Sequence, residues 1–368
     1  MPPHLWRIAH SECSLGWGGQ EHRVLAELTG FKARGHHTVL LAPMESQISQ
    51  RAQSAGVPVT HFQVGRLRFL FEAVRLARWL RRERIAVLNP HSSADGWLVG
   101  VAGRLARVPF IVRSRHIDVT YPNAWISRHA FTTLADHVLT TSDKITAHLR
   151  DLFHLPADRI TTVPTGIDLK VFSPAVAPAQ LFTNHASSAR PVIGMVSVLR
   201  SWKGHDTFLR AARRLLDEGF QARFVIVGEG PVRQLIEQQI ADLKLAGDVT
   251  LTGHREDVAA ALRALDALVI ASTRHEGVPQ IGLQALACRT PVVGSDVGGI
   301  PEIIRPGETG RIFPAGDAQA LAAALRDTLA DTAVTTALIE RGRAMVEAKH
   351  SLDAMLDTLE AIYRRHLP

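Results

Sequence analysis

Apolar positions in the first half of the chain fall into short runs at Trp6–Ala9, Thr38–Ala42, Val57–Phe62, Ile85–Leu88, Phe110–Val112 and His137–Thr140. Continuous apolar runs of this length, with no polar alternation, predict strands buried on both faces. Stretches of helical period separate them, among them Gln20–Arg34, Phe69–Arg84 and Asp95–Ala106. The second half repeats the pattern, with strands predicted at Val192–Val198, Ala222–Val227, Val249–Leu251, Ala267–Ile270 and Pro291–Val293. Strands alternating with helices at this spacing build parallel sheets covered by helices on both faces. Between the two arrays, Ser173–Arg190 mixes prolines with Ser, Thr, Asn and His, the composition of a linker. The expected class is therefore α/β: two facing, doubly wound, Rossmann-like domains, with a ligand cleft where the strand C-termini meet. Residues 1–172 form the first domain, 173–190 the linker and 191–350 the second domain.

Composition narrows this picture. A chain of 368 residues exceeds one ordinary core and suits two domains. With 46% apolar and 21% charged residues it is a folded chain, not a disordered one. It has no run of 18 apolar residues and no basic-then-apolar leader at its start, so a cytoplasmic location is expected. Cys13 and Cys288 stand far apart and outside any metal-ligand spacing, which predicts reduced thiols and no zinc site. The charge is uneven: residues 1–170 carry a net +8 and the remainder −1. Such asymmetry suits either an anionic partner for the first half or a merely solvated basic surface.

A doubly wound fold directs attention to loops that leave strands and enter helices. The first, Cys13-Ser-Leu-Gly-Trp-Gly-Gly-Gln-Glu21, has Gly16, Gly18 and Gly19 before a helix N-terminus, a place where backbone N–H groups favour an anion. A loop that simply needs positive φ has the same composition. The second, Arg200-Ser-Trp-Lys203-Gly204, sets two cations after a strand, suited to a diphosphate or else to solvent. The third runs Ala271-Ser-Thr-Arg-His-Glu276-Gly277-Val278-Pro279-Gln280 into an apolar helix whose polar member is Gln284. A buried amide there needs a partner, a ligand hydroxyl or a neighbouring carbonyl.

Together these segments resemble the retaining glycosyltransferase family 4, with the two-domain GT-B fold. The resemblance rests on Glu276-Gly-Val-Pro with Gln284, on Pro291-Val-Val-Gly with Gly298-Gly-Ile-Pro-Glu302, and on Gly18-Gly19-Gln-Glu21. Val163-Pro-Thr-Gly166-Ile-Asp168 with Phe172 and Pro174, and Val227-Gly-Glu-Gly230-Pro, extend it over nearly the whole chain. The resemblance implies that Arg200 and Lys203 bind the donor diphosphate in place of a metal ion, and the sequence contains no D-x-D. It implies that Glu276 holds the donor sugar's hydroxyls, with the Gly277 and Val278 backbone near the phosphates. His116, in Arg113-Ser-Arg-His116, matches a histidine that touches the sugar near the reacting centre, and Gly18 and Gly19 would lie near donor phosphates or acceptor. The family's second glutamate is Gln284 here; an amide can still bond ribose hydroxyls but cannot act as an anionic nucleophile. Thr165 stands where the family often has Asn. The last helix, Leu352–His366 within residues 351–368, would cross back to the first domain.

No cofactor or metal is expected, only a nucleoside diphosphate sugar as donor. For the acceptor, Arg66–Arg84 carries seven arginines. At 100° per residue Arg68, Arg75, Arg78 and Arg82 share a sector with Phe71 and Trp79, while Leu70, Ala73, Val74 and Ala77 face the sheet. Arginine mixed with aromatics suits a membrane headgroup surface, as well as an ordinary solvated helix. With the basic first half, this favours a glycan or lipid-linked acceptor at the inner face of the cytoplasmic membrane, in cell-envelope or lipopolysaccharide synthesis. Two alternatives compete: a GT-B sugar-nucleotide epimerase, and a basic nucleic-acid-binding protein. No RNA-recognition or zinc-finger signature supports the second, and no nucleic acid is expected as a partner.

Overall fold

The computed structural model describes residues 5–117, 119–121, 123–182, 190–274 and 276–367. The chain forms two compact units, one of Met1–Gly166 with Leu352–Pro368 and the other of Ile167–Ser351.

The first unit holds a seven-stranded sheet. Its strands are β1 (Arg7–Ser11), β2 (His37–Ala42), β3 (Val59–His61), β4 (Val87–Pro90), β5 (Phe110–Arg115), β6 (His137–Thr140) and β7 (Ile160–Thr162). They lie in the order β3-β2-β1-β4-β5-β6-β7, every pair parallel. The second unit has β8 (Val192–Val196), β9 (Arg223–Val227), β10 (Val249–Gly253), β11 (Ala267–Ile270), β12 (Val292–Ser295) and β13 (Arg311–Phe313). Their order is β10-β9-β8-β11-β12-β13, again all parallel. Both sheets are Rossmann-like. In each, the chain starts in the middle, winds outward to one edge, and returns to wind toward the other. The strand order reverses between β1 and β4 in one sheet and between β8 and β11 in the other. At such a switch point the loops leaving the two neighbouring strands diverge to opposite faces and open a crevice beyond the strand C-termini.

The expected strands are present, with two additions. Edge strands β7 and β13 are three residues long, too short to give an apolar run, and the sequence reading passed over both. Strand β5 runs on to Arg115 because Arg113 and Arg115 are buried in the ladder with β6, where cations disguise a core strand.

One expectation is corrected, the inward face of the arginine-rich helix. Within the expected linker, Leu181 is buried, and Val176, Ala179 and Phe182 pack on the second unit's core. Apolar side chains spaced through a Pro-containing segment give it a surface to lie on; residues 183–189 lie outside the described residues. On the arginine-rich helix, Phe69–Arg82, the inward face is Glu72, Ala73, Leu76, Ala77 and Leu80, while Leu70 and Val74 are exposed. That helix packs beside the helix Ser93–Ala106 as well as on the sheet, which turns its buried stripe toward Leu76 and Leu80.

The final helix, Leu352–His366, packs within the first unit. Met355, Leu356, Leu359, Ile362 and Tyr363 enter the core formed by Trp6, Phe110 and Phe31. Arg34 pairs with Asp353, Asp357 and Glu360 along the helix's outer side.

Candidate functional site

In the second unit, the loops leaving β8 and β11 meet at the switch point. Residues Ser201–Lys203 form one turn of 3-10 helix, closed by Gly204 at φ +75°. A Cβ on Gly204 would stand 1.9 Å from the Ala271 carbonyl oxygen, so only glycine lets this turn lie on the neighbouring loop. The Thr273 N–H donates to Trp202 O at 2.8 Å and ties the two loops together. The result places Lys203 Nζ 2.7 Å from Glu276 Oε2 and 3.1 Å from Oε1. Ser272 Oγ donates to the same Oε2 at 2.5 Å. Arg200, exposed on this loop, lies with its guanidinium carbon 5.2 Å from the centre of the Trp202 ring.

A third loop, after β12, supports Glu276 from below. Gly299 N–H donates to Glu276 O at 3.3 Å. Gly298, at φ +59°, passes so close that a Cβ would meet Glu276 O at 2.0 Å. Gly277 and Val278 are half-buried here, and Val278 packs on the core beneath. The helix Gln280–Ala287 starts immediately after Pro279. Gln284 lies on it half-exposed, not buried, and its amide makes no hydrogen bond among the described residues. The burial cost expected for that amide therefore does not arise. His275 lies outside the described residues.

The first unit's switch point carries the remaining predicted residues and several that sequence reading missed. Gly18 N–H donates to Glu21 Oε2 at 2.8 Å, and the helix Gly19–Ala33 begins there. Gly16, Gly18 and Gly19 do not sit at positive φ, so backbone conformation does not require glycine in this loop. A Cβ would also fit: the nearest atom would be 3.7 Å away at Gly16 and 3.4 Å at Gly18. At Gly16 and Gly18 the missing side chains leave space outside the chain instead. Beneath the loop, the buried Glu12 accepts from Ser14 N at 2.8 Å and takes short hydrogen bonds from Gln20 Nε2 and Ser92 Oγ. Glu12 thereby joins the loop after β1 to the loop after β4. Burial raises its pKa, while these donors pull the other way.

Behind it lies Asp95, fully buried, accepting from Ser11 Oγ at 2.7 Å. Burial first, and then the Glu12 charge, push its pKa up to about 7. His116 follows β5 and is 8% exposed, its carbonyl held by Thr141 Oγ1 at 3.1 Å. His116 Nε2 lies 2.8 Å from His91 Nδ1, and His91 Nε2 lies 3.0 Å from His10 Nδ1. Desolvation, helped by neighbouring cations, holds both His91 and His116 well below the usual histidine pKa, and His10 at about 3. Burial thus favours the neutral ring at all three. Sequence reading singled out His116 but neither His10 nor His91. The available signal was positional, since each ends or follows a strand flanking the switch point.

The structure thus brings Lys203 and Glu276 into contact and sets Arg200 on the same loop as Lys203, with Gly277 and Val278 following Glu276. It sets Gly18 and Gly19 at the corresponding position of the first sheet. Two cations with a carboxylate at a switch point suit an anionic, hydroxyl-bearing ligand.

Two family models match the chain: "Glycosyltransferase Family 4" over residues 17–171 and "Glycosyl transferases group 1" over residues 190–331. Together they span both units. The chain is a glycosyltransferase of family 4, with the GT-B fold. Among its relatives is the alpha-D-kanosaminyltransferase of Streptomyces kanamyceticus, 29% identical over 80% of this chain and 81% of that protein. Another is the lipopolysaccharide core biosynthesis mannosyltransferase LpcC of Rhizobium leguminosarum bv. viciae, 30% identical over 62% of this chain and 64% of LpcC. In fold it is similar to Anabaena HepE, whose structure holds UDP-glucose, with a TM-score of 0.85, 19% identity, and coverage of 98% of this chain and 99% of HepE.

Proposed function

We propose that this glycosyltransferase moves a sugar from a nucleoside diphosphate to a glycan or lipid-linked acceptor of the bacterial cell envelope, with retention of anomeric configuration and without a metal ion. The observation that carries the reading is the Lys203–Glu276 pair beside Arg200 at the second sheet's switch point. The bond from the anomeric carbon to the diphosphate oxygen breaks, and a bond to an acceptor hydroxyl oxygen forms. The hydroxyl proton leaves to the departing diphosphate on the same face, so no protein nucleophile is needed. Arg200 and Lys203 stabilise the charge that develops on the leaving diphosphate, together with N–H groups around Gly277 and Val278. Glu276 accepts from the sugar's hydroxyls while Lys203 Nζ bridges its two carboxylate oxygens. Gln284 bonds the ribose, His116 bonds the sugar near the reacting carbon, and the Gly18–Gly19 loop, with room beside Gly18, receives phosphate or acceptor. The HepE structure with UDP-glucose and the LpcC mannosyltransferase support the donor class and the envelope setting respectively.

The same reading puts the first unit against an anionic membrane surface. Among the described residues no helix is long and apolar enough to cross a membrane. Yet Leu67, Leu70, Phe71 and Val74, spaced i, i+3, i+4 and i+7, are exposed by 103, 78, 69 and 42%. Arg78 and Arg82 continue the stripe, both exposed. An apolar ridge running into arginines suits the acyl–headgroup boundary, where the ridge enters and the guanidinium groups meet phosphate.

The test is turnover in EDTA. A panel of nucleotide sugars, each with bacterial membrane lipid extract as acceptor, is followed for nucleoside diphosphate release and for the anomeric coupling of the product. Release with one donor and an axial-to-axial outcome supports the reading; release only on adding a divalent metal, or inversion, overturns those parts of it.

A further inference from the structure

Beneath His116 the first unit holds a column of buried polar groups for which the transfer has no direct use. From His116 the contacts pass to His91 and His10, and His10 Nδ1 then faces Glu27 Oε2 at 3.6 Å. Glu27 Oε1 accepts from Arg23 Nε at 2.7 Å. Arg23 is fixed in turn by donating to Val163 O at 2.8 Å and Thr165 Oγ1 at 3.1 Å. His10, His91, Glu27 and Arg23 are 0, 0, 1 and 3% exposed. Burial raises the Glu27 pKa and the Arg23 pair opposes it. A guanidinium does not give up its proton in a protein, so charge balance here requires Glu27 as the carboxylate.

A neutral imidazole has one N–H and one lone pair. His91 uses both its nitrogens, so its two bonds run in series, and only two directions are open. If protons point inward, from His116 toward His10, then the His10 Nδ1 lone pair faces the Glu27 carboxylate. The His10 proton then sits on Nε2, which is buried without a hydrogen-bond partner among the described residues. That arrangement opposes two lone pairs and orphans an N–H, the rarer kind of unpaired buried group. If protons point outward, His10 Nδ1–H donates to His91 Nε2 at 3.0 Å, and Glu27 Oε2, 3.6 Å from the same nitrogen and without a hydrogen bond among the described residues, favours a proton there over a lone pair. His91 Nδ1–H then donates to His116 Nε2, and the only proton on His116 is on Nδ1.

We propose that Glu27, acting through His10 and His91, holds His116 as its Nδ1–H tautomer, so that this ring offers a ligand a hydrogen-bond donor and not an acceptor. Nδ1 of His116 makes no hydrogen bond among the described residues. On the reading that His116 meets the donor sugar, the ring gives a hydrogen bond to a sugar oxygen and cannot take a proton from a hydroxyl. His10, His91 and Glu27 are positioning residues that act through it.

The test needs no donor, so it stands or falls apart from the transfer reading. Protein labelled with 15N-histidine is examined by two-bond 1H–15N correlation at pH 7, which separates protonated from bare ring nitrogens, and His116 is assigned by the His116→Gln variant. Wild type is expected to show His116 protonated on Nδ1 over Nε2 by a factor of about ten or more, equivalent to ~1.4 kcal/mol. His10→Phe keeps a ring of similar shape but removes the donor to His91, and His116 should move to a mixture in which Nε2–H predominates. His10→Asn returns an amide N–H near the former Nδ1 and should restore the Nδ1–H form. Nε2–H on His116 in wild type overturns the proposal, even if neither variant folds. So does a tautomer unmoved by His10→Phe. So would one equivalent of metal in the purified protein lost with His10→Phe, because His10, Glu27 and His91 offer ligand atoms within 4.8 Å of one another.

Discussion

Lys203 and Glu276 are 73 residues apart in sequence, yet Nζ bridges both carboxylate oxygens, at 2.7 and 3.1 Å. They stand on loops that leave β8 and β11, adjacent strands across which the sheet order reverses. The ion pair is a product of topology, and with its side chains 23 and 10% exposed it is shielded enough to matter for stability. Lys203→Ala leaves a half-buried carboxylate with Ser272 as its remaining hydrogen-bond partner. Each of Lys203→Ala and Glu276→Ala should cost about 1–3 kcal/mol in urea unfolding, and the double variant less than their sum by ~0.5 kcal/mol or more. Strict additivity would mean the two side chains do not interact.

The glycines of the two switch points should respond in opposite ways. Gly204→Ala puts a Cβ against the Ala271 carbonyl at a positive φ, and should destabilise by about 2–4 kcal/mol. Gly18→Ala meets no contact closer than 3.4 Å, and should cost roughly 1 kcal/mol or less as a poorer cap. If the space over Gly18 belongs to a ligand, turnover should nevertheless fall at least tenfold. Melting curves and initial rates on both variants check this, and a Gly18→Ala enzyme of full activity would show the loop to be free of ligand.

Asp95 makes stability depend on pH in a stated direction. Its folded pKa, about 7, lies above the ordinary aspartate value of 3.8. Between these values the folded state holds a proton that the unfolded state has lost, so the contribution is full below pH 4 and disappears as pH rises through 7. Asp95→Asn fixes the neutral form and still accepts from Ser11. Relative to wild type it should gain stability between pH 4 and pH 8, by up to a few kcal/mol at roughly 1.4 per pKa unit. A constant difference in melting temperature across that range would contradict the assignment.

The exposed ridge yields a prediction about partition and not about folding. Leu70→Ser with Phe71→Ser should leave the melting temperature nearly unchanged, within the ~0.5 kcal/mol usual for surface changes. Co-sedimentation with phosphatidylglycerol vesicles should fall at least fivefold, and wild-type binding should weaken as salt rises. Equal sedimentation of both proteins would remove the membrane from the account.

Much of this was legible in the chain. Core strands are continuous apolar runs, and their alternation with helices gave two parallel sheets. Glu276, Lys203 and Arg200 could be found because glycine and proline punctuate their loops at strand ends. The Lys203–Glu276 contact itself could not, since it depends on strand order. Edge strands β7 and β13 left too few apolar positions to register, and the arginines of β5 masked its length. The face of the arginine-rich helix was misjudged because period alone does not say which neighbour a helix packs on: Leu70 and Val74 are apolar, but the helix Ser93–Ala106 lies on the other side. The His10–His91–His116 column was invisible for a further reason: its members come from three strand ends, and nothing in sequence links them.

On the proposed function, the second unit binds a nucleoside diphosphate through Arg200, Lys203 and the loops around Glu276, without a metal. The direct measurement is the thermal shift of wild type and Lys203→Ala with UDP, GDP, ADP and CDP in EDTA. A nucleotide at about 100 times its dissociation constant stabilises a protein by roughly 2.7 kcal/mol. One nucleotide should raise the wild-type melting temperature, and Lys203→Ala should lose most of that rise. No shift with any of the four at millimolar concentration, or an equal shift in the variant, would contradict this reading.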